Sequence, residues 1–162
     1  MQLKVKRLNH AIGLPELKYQ SDGASGFDLY AAFAEGCFGV LFPNEQLNVP
    51  TGFCFEVPEG FELQIRARSG LAFKEGVGIV NGVGTIDADY RGEVWVCLTR
   101  MSKTIYNSDH VRNWGTDTGF KVTRGMRIAQ AVLCPVTRGN LIEVNELSDT
   151  VRGEGGFGST GV

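Results

Sequence analysis

The sequence is poor in the residues on which many catalytic and metal-binding sites depend. Its 162 residues include two histidines, His10 and His110, and neither accompanies a G-x-S-x-G segment. A Ser-His-Asp or Cys-His enzyme is therefore not indicated. No GxxxxGK[ST] segment occurs either, so a Walker-type phosphate loop is excluded and phosphate binding would need another design.

Cysteines and long hydrophobic runs are also scarce. The four cysteines form no CxxC pair, which disfavours a zinc site or a dense disulfide framework and predicts four reduced thiols. The amino-terminal residues hold no apolar stretch of signal-peptide length, and no segment approaches about 18 apolar residues, so a cytoplasmic location is expected. The formal net charge of -2 argues against a protein that coats duplex nucleic acid or an anionic membrane.

What the sequence does contain is a strand pattern. The 22 glycines and 5 prolines punctuate short runs rich in Val, Ile and Phe. From Phe61 apolar and polar residues alternate, which predicts a strand buried on one face, and "PTGFCFEVPEGFELQIRAR" is interpreted as a hairpin that turns at residues 58–60. The segment "EVWVCL" is apolar on both faces, as expected for a strand inside a sandwich.

Turn and helix signals complete the fold prediction. Asn81-Gly82 lies between two short apolar runs and predicts a tight hairpin. One short helix is expected, with Ser69 as its N-cap and Gly76 just past its end. Many short strands with one short helix indicate a single all-β domain of the sandwich, jelly-roll or barrel type. Residues 101–120 are polar and aperiodic and predict a long loop.

Three segments carry candidate polar sites. Arg68 and Ser69 at a strand-to-helix junction would suit an anion, although an ordinary capped helix is the simpler interpretation. Asp87 and Asp89 share a face if their strand continues, and could serve as a general base or hold a metal, or lie at a polar strand end in solvent. Asp28, among apolar neighbours, is either paired structurally or recruited to a cation.

The carboxyl-terminal segment "RGEGGFGSTGV" is rich in glycine, so it is expected to stay mobile unless a ligand or partner holds it. A disordered end is one interpretation. The other is a nucleotide lid, because Arg152 can pair with a phosphate, Phe157 can stack on a base, and Ser159 and Thr160 can donate to phosphate oxygens.

Taken together and in order, "GASGFDLYAA", "RSGLAFKEGV", "NGVGTIDADYRGE", "RGMRIAQ" and "RGEGGFGSTG" closely resemble the five motifs of the homotrimeric dUTPase family. The resemblance implies a distorted all-β jelly roll or β-barrel with one short helix, in a homotrimer whose three active sites each draw on all three chains. It also implies Mg²⁺-dependent hydrolysis of dUTP to dUMP and pyrophosphate. The domain would span residues 1–151, and residues 152–162 would form a lid over a neighbouring subunit's site.

The resemblance assigns roles residue by residue. Asp87 matches the carboxylate that activates the attacking water, and Asp28 matches the acid that holds hydrated magnesium. Arg68, Ser69 and Gly70 match the phosphate-binding segment.

Further matches concern the nucleoside and the lid. Asn81 and the hairpin around it, which includes Gly84, fall where uracil is read, and Tyr90 matches the ring packed under deoxyribose. Gln130 matches the glutamine near the α-phosphate. The tail residues match contacts to the γ-phosphate and to uracil: Arg152, Phe157, Gly158, Ser159 and Thr160.

The sequence departs from the family pattern in two places. Met126 stands where the family commonly has an acid, and a structural consequence is expected. Residues of about 102–119 look like an insertion of the kind known in some phage-encoded members, which indicates a surface flap or a site for a protein partner. The alternatives to dUTP hydrolysis are a dCTP deaminase of the same fold and a regulatory protein that binds a partner through this loop.

Overall fold

The structure, a computed structural model, describes residues 1–101, 106–107, 110–111 and 119–156. In these residues the chain forms strands, one α-helix and a 3₁₀ turn at Asn9–Ala11. The elements are β1 (Lys4–Arg7), β2 (Phe27–Tyr30), β3 (Phe38–Leu41), β4 (Gln46–Glu56), β5 (Phe61–Arg66), α1 (Ser69–Glu75), β6 (Val77–Ile79), β7 (Val83–Ile86), β8 (Glu93–Arg100), β9 (Tyr106–Asn107), β10 (His110–Val111), β11 (Phe120–Thr123) and β12 (Arg127–Pro135).

The strands form two four-stranded antiparallel sheets with one core. The sheet orders are β1-β4-β8-β6 and β2-β12-β5-β7, and β3 with β11 and β9 with β10 form two-stranded ribbons. The core draws on the inner faces of both large sheets, with Phe53 and Phe55 from the first sheet packed in one cluster with Leu29 and Leu63 from the second. The prediction of an all-β jelly roll with one short helix is confirmed.

Strands β5 and β8 show where period-2 alternation predicts burial correctly and where it does not. In β5, Leu63 and Ile65 are buried as the alternation predicts. In β8, Val94 and Val96 are buried, but Trp95 is 55% exposed. The expectation that "EVWVCL" is buried on both faces is therefore wrong for the single chain, because nothing from the second sheet covers the outer face at Trp95.

Both hairpin predictions are wrong in the same way. β4 pairs with β1 and β8, whereas β5 pairs with β12 and β7, so the turn at residues 58–60 carries the chain from one sheet to the other. Likewise β6 pairs with β8 and β7 pairs with β5, so the Asn81-Gly82 turn also joins the two sheets. A hairpin and a crossing between sheets use the same turn residues, and only the core decides where each strand finds its partner.

The helix matches its prediction at one end. α1 ends at Glu75 and is capped by Gly76, whose φ of 69° is left-handed and whose N–H donates to the Ala72 carbonyl. At the start, the capping residue is Arg68 rather than Ser69, and no side chain caps the helix. Ser69 is the first helical residue instead, which leaves its hydroxyl at the surface.

Beyond the last strand the chain is exposed. β12 ends at Pro135, and residues 136–154 are exposed, while the domain boundary at residue 151 stays a prediction. All four cysteines are free thiols, as predicted, although only Cys54 is buried. Among the described residues, no helix is long and apolar enough to cross a membrane.

Candidate active site

Asp28 is the centre of a cluster of polar side chains on the second sheet. Its side chain is 12% exposed; Oδ1 accepts a hydrogen bond from Arg68 Nε at 2.9 Å, and Oδ2 accepts one from Arg127 Nη1 at 3.1 Å. Gln130 lies opposite Asp28 in the ladder and donates from Nε2 to the Ala67 carbonyl at 3.1 Å. We call Asp28, Arg68, Arg127 and Gln130 the arginine cluster. Two guanidiniums against one carboxylate leave it a net positive site.

The start of α1 extends this cluster. Arg68 also donates from Nη1 to the Arg127 carbonyl at 3.1 Å, which ties the strand-to-helix junction to β12. Ser69 and Gly70 follow directly as the first two helical residues, and both are exposed. Backbone N–H groups of a first helical turn point away from the helix and favour an anion. The junction therefore presents a hydroxyl and amides beside the two guanidiniums.

Asp87 lies in a different place, just beyond the end of β7. It is exposed, and its carbonyl accepts the Tyr90 N–H at 3.2 Å, which closes a turn. Because β7 ends at Ile86, the strand does not continue as a shared face for Asp87 and Asp89 would require, and both residues belong to this turn. A cavity of about 270 Å³ opens beside the turn, lined by Thr85, Ile86, Asp87, Tyr90, Glu93, Val94 and Trp95. We call it the Asp87 cavity.

The strand register measures the separation between the two places. Asp28 pairs with Gln130, Gln130 pairs with Arg66, and Arg66 pairs with Val83, so these residues form one row across the sheet. Three strand spacings put Val83 roughly 14 Å from Asp28, and Asp87 lies four residues further along, roughly 13 Å more at a right angle. A single chain therefore does not bring Asp87 to the arginine cluster.

Two other predicted contacts lie at the turn between β6 and β7 and at the start of β7. Asn81 is exposed at this turn, and its carbonyl accepts the Val83 N–H at 2.8 Å. Gly84 faces Ile65 on the neighbouring strand, where an added Cβ would come within 3.3 Å of the Ile65 Cβ. Gly84 is thus placed for close strand packing, and the main chain around Asn81 stays open to solvent.

The predicted lid is described only at its beginning. Arg152 is exposed and donates from Nε to the Gly155 carbonyl at 2.7 Å. Phe157, Gly158, Ser159 and Thr160 lie outside the described residues, as does most of the 102–119 segment.

Comparison with known proteins identifies the family and the fold. The dUTPase family model matches residues 14–161. The chain is 51% identical over 160 residues to a deoxyuridine 5'-triphosphate nucleotidohydrolase of Rhizobium rhizogenes, covering 99% of this chain and 94% of that protein. A protein of the same name from Beijerinckia indica is also 51% identical over 160 residues, covering 99% of this chain and 91% of that one.

The chain belongs to the dUTPase family. Among solved structures, the dUTPase of Staphylococcus bacteriophage 80alpha with dUPNHPP superposes with a TM-score of 0.79 at 28% identity, covering 99% of each chain. The family match runs from before Asp28 to beyond Thr160 and so includes every assigned site residue. The resemblance drawn from five short motifs is confirmed over nearly the whole chain.

The structure adds one residue that motif comparison with the dUTPase family did not assign. The motifs assign no role to Arg127, yet it contacts Asp28 directly. Its neighbour Met126 packs against the core, and its carbonyl accepts the Ala31 N–H at 2.8 Å. The expected structural consequence of losing an acid there fits this arrangement, because a methionine can pack where an acid would need a partner.

The Asp28 carboxylate is better suited to metal-bound water than to direct coordination of a metal. Among the described residues, no group of three or more His, Cys, Asp or Glu side chains converges. The Asp28 carboxylate, however, can accept about four hydrogen bonds and accepts two from the arginines. The remaining capacity fits contact with metal-bound water, whereas direct coordination would bring the metal against two guanidiniums.

Proposed function

We propose that this protein hydrolyses dUTP to dUMP and pyrophosphate, which keeps uracil out of DNA and supplies dUMP for thymidylate synthesis. The observation that carries the proposal is a pair of half-sites in a chain of the dUTPase family: the arginine cluster with the start of α1, and the Asp87 cavity. Each half-site has the chemistry that one half of a nucleoside triphosphate needs. The arginine cluster and the start of α1 suit the phosphates, and the Asp87 cavity suits the sugar and the attacking water.

The two half-sites require a second chain to meet. We infer a homotrimer in which the arginine cluster of one subunit faces the Asp87 cavity of a second, and the tail of a third closes over both. The separation within one chain supports this inference. The row from Asp28 to Val83 and the further step to Asp87 put the arginine cluster and the Asp87 cavity too far apart for one triphosphate to reach both. The exposed Trp95 face then becomes a candidate subunit contact.

The chain's own groups supply most of the proposed mechanism. Asp87, exposed at the end of β7, accepts a proton from the water that attacks the α-phosphorus in line. Arg68, Gln130 and the amides at Ser69 and Gly70 bind phosphate oxygens and offset the charge that moves to the pyrophosphate leaving group. Mg²⁺, when bound by the triphosphate with its water held by Asp28, would neutralise further phosphate charge.

Specificity rests on the nucleoside end. Main-chain groups around Asn81 would pair with uracil and leave cytosine with reversed donors and acceptors. Tyr90 would pack under deoxyribose and leave no room for a 2′-hydroxyl. In the tail, Phe157 would stack on the base, while Arg152, Gly158, Ser159 and Thr160 would contact the γ-phosphate, so closure would exclude bulk water.

The test is product analysis with purified protein. With Mg²⁺, dUTP should give dUMP and pyrophosphate in equal amounts, and chelation of the metal should stop the reaction. Ammonia release from dCTP would instead identify the deaminase alternative. Absence of pyrophosphate from dUTP in metal-replete protein would refute the proposal, and a regulatory role would then be the remaining candidate.

A further inference from the structure

Two nearby residues fix the Tyr90 side chain: Gly92 contacts its ring, and Glu93 accepts a hydrogen bond from its hydroxyl. Its hydroxyl donates to the Glu93 carbonyl at 3.0 Å. Its ring lies against Gly92 so closely that a Cβ added there would come within 2.6 Å of the ring carbon Cζ and closer still to the hydroxyl oxygen. Only a residue without a side chain at position 92 allows the ring to lie where it does.

The acceptor for Tyr90 is itself fixed. The Glu93 side chain is 15% exposed, and its Oε1 accepts the Gly52 N–H at 2.7 Å and lies 2.9 Å from His10 Nε2. One residue further along β8, the Val94 carbonyl accepts a hydrogen bond from the buried Thr51 hydroxyl at 2.7 Å. Contacts from β4 and from the 3₁₀ turn thus hold the start of β8 in place. The Glu93 carbonyl therefore cannot move with the tyrosine if the ring moves.

We propose that Gly92 and Glu93 are specificity-determining positioning residues. They fix the position of the Tyr90 ring in the Asp87 cavity, and the ring in that position excludes a ribose 2′-hydroxyl. The inference rests on the proposed function, which places deoxyribose on Tyr90. It adds that sugar discrimination depends on two residues that act through the position of the Tyr90 ring. Tyr90 is 45% exposed, so a clash at Gly92 is relieved by swinging the ring toward solvent and not by unfolding the strand.

The experiment measures kcat/KM for dUTP and for UTP in full-length protein. Gly92→Ala should lower the ratio of the two values by about tenfold or more, because a displaced ring no longer fills the space of the hydroxyl. A merely destabilised enzyme would lose turnover of both substrates in proportion and leave the ratio unchanged. An unchanged ratio in folded Gly92→Ala protein would overturn the proposal. Gly23→Ala is the control, since Gly23 is exposed and an added Cβ there meets nothing within 4 Å.

Two further variants test the route through the tyrosine. In a Tyr90→Ala background, adding Gly92→Ala should leave the ratio where Tyr90→Ala alone puts it; a further fall would show that Gly92 acts through something else. Glu93→Ala should lower the ratio, and Glu93→Gln, which can still accept the Gly52 N–H, should restore most of it. Equal ratios for both Glu93 variants would remove Glu93 from the proposed role.

The wild-type measurement separates the two levels of the argument. No turnover of dUTP by the wild-type protein would refute the proposed function itself. Equal turnover of dUTP and UTP would refute the assignment of Tyr90. Strong preference for dUTP that survives Gly92→Ala would refute only the positioning role.

Discussion

At the scale of the residue, one carboxylate organises the cationic half of the site. Asp28 spans two arginines that come from different parts of the chain, the α1 junction and β12. A mostly buried acid with two charge-assisted hydrogen bonds holds the guanidiniums in a fixed orientation, and fixed donors cost less to order around a phosphate than mobile ones. Of the alternatives left open for Asp28, the structure shows structural pairing, and a contact between its spare lone pairs and metal-bound water stays a proposal.

The residue with the sharpest prediction is Asp87. Asp87→Asn keeps the side chain's shape but removes its basicity, so kcat for dUTP should fall by roughly two or more orders of magnitude, while nucleotide binding and thermal unfolding stay close to the wild type. Asp89→Asn is the matched comparison, since Asp89 is equally exposed on the same turn, and it should retain most activity. Near-normal turnover by Asp87→Asn would take the base role from Asp87.

At the scale of the element, the exposed carboxyl-terminal arm is the least expected feature. Leu141, Leu147 and Val151 are 97%, 88% and 111% exposed, in a segment that the sequence analysis placed inside the domain. Apolar side chains in such numbers are normally covered by something. In a trimer the arm would run over a neighbouring subunit and carry the glycine-rich tail to that subunit's site.

Truncation tests the lid directly. Ending the chain after Val151 should abolish most dUTP hydrolysis while the oligomer, measured by light scattering, stays intact. Phe157→Ala should weaken the closed nucleotide complex by about 1–3 kcal/mol if the ring stacks on uracil. Full turnover by a truncated trimer would contradict the proposed role of residues 152–162 as a lid. Unchanged affinity and kcat in a Phe157→Ala protein would contradict stacking on uracil.

The 102–119 segment is the second element open to test. It connects β8 to β11, and β9 and β10 pair within it. Deleting most of Ser102 to Gly119 should leave turnover largely intact if the segment is a surface flap or a partner site, because β11 keeps its ladder with β3. Loss of hydrolysis in a deletion variant that is still trimeric would instead make the segment part of the site.

At the scale of the whole molecule, the separation of the two half-sites within one chain is what the proposed trimer explains. Val83 is in register with Asp28 across the sheet, and Asp87 lies just beyond the far end of β7, the strand that begins at Val83. The proposed trimer places catalysis between subunits, and mixing subunits of different variants tests it.

Mixing two inactive proteins supplies that test. Asp87→Asn subunits and subunits truncated after Val151, unfolded together in equal amounts and refolded, should regain about a quarter of wild-type activity, because a quarter of the random sites combine an intact Asp87 with an intact tail from another chain. Refolding each variant alone is the control. No recovery in the mixture, with wild-type protein refolding normally, would mean that each site belongs to one chain.

The sequence by itself determined the local structure and the chemical inventory. Alternation around Leu63 and Ile65 specified a half-buried strand, Gly76 specified a helix end, and the ordered motifs identified the family. Each of these signals lies in a short segment of the sequence. Only the tertiary structure decided the sheet partners, because the turns at residues 58–60 and Asn81-Gly82 suit a hairpin and a crossing between sheets equally. It also decided that Arg127 contacts Asp28 and that Gly92 and Glu93 hold Tyr90, since packing in three dimensions fixes which side chains meet.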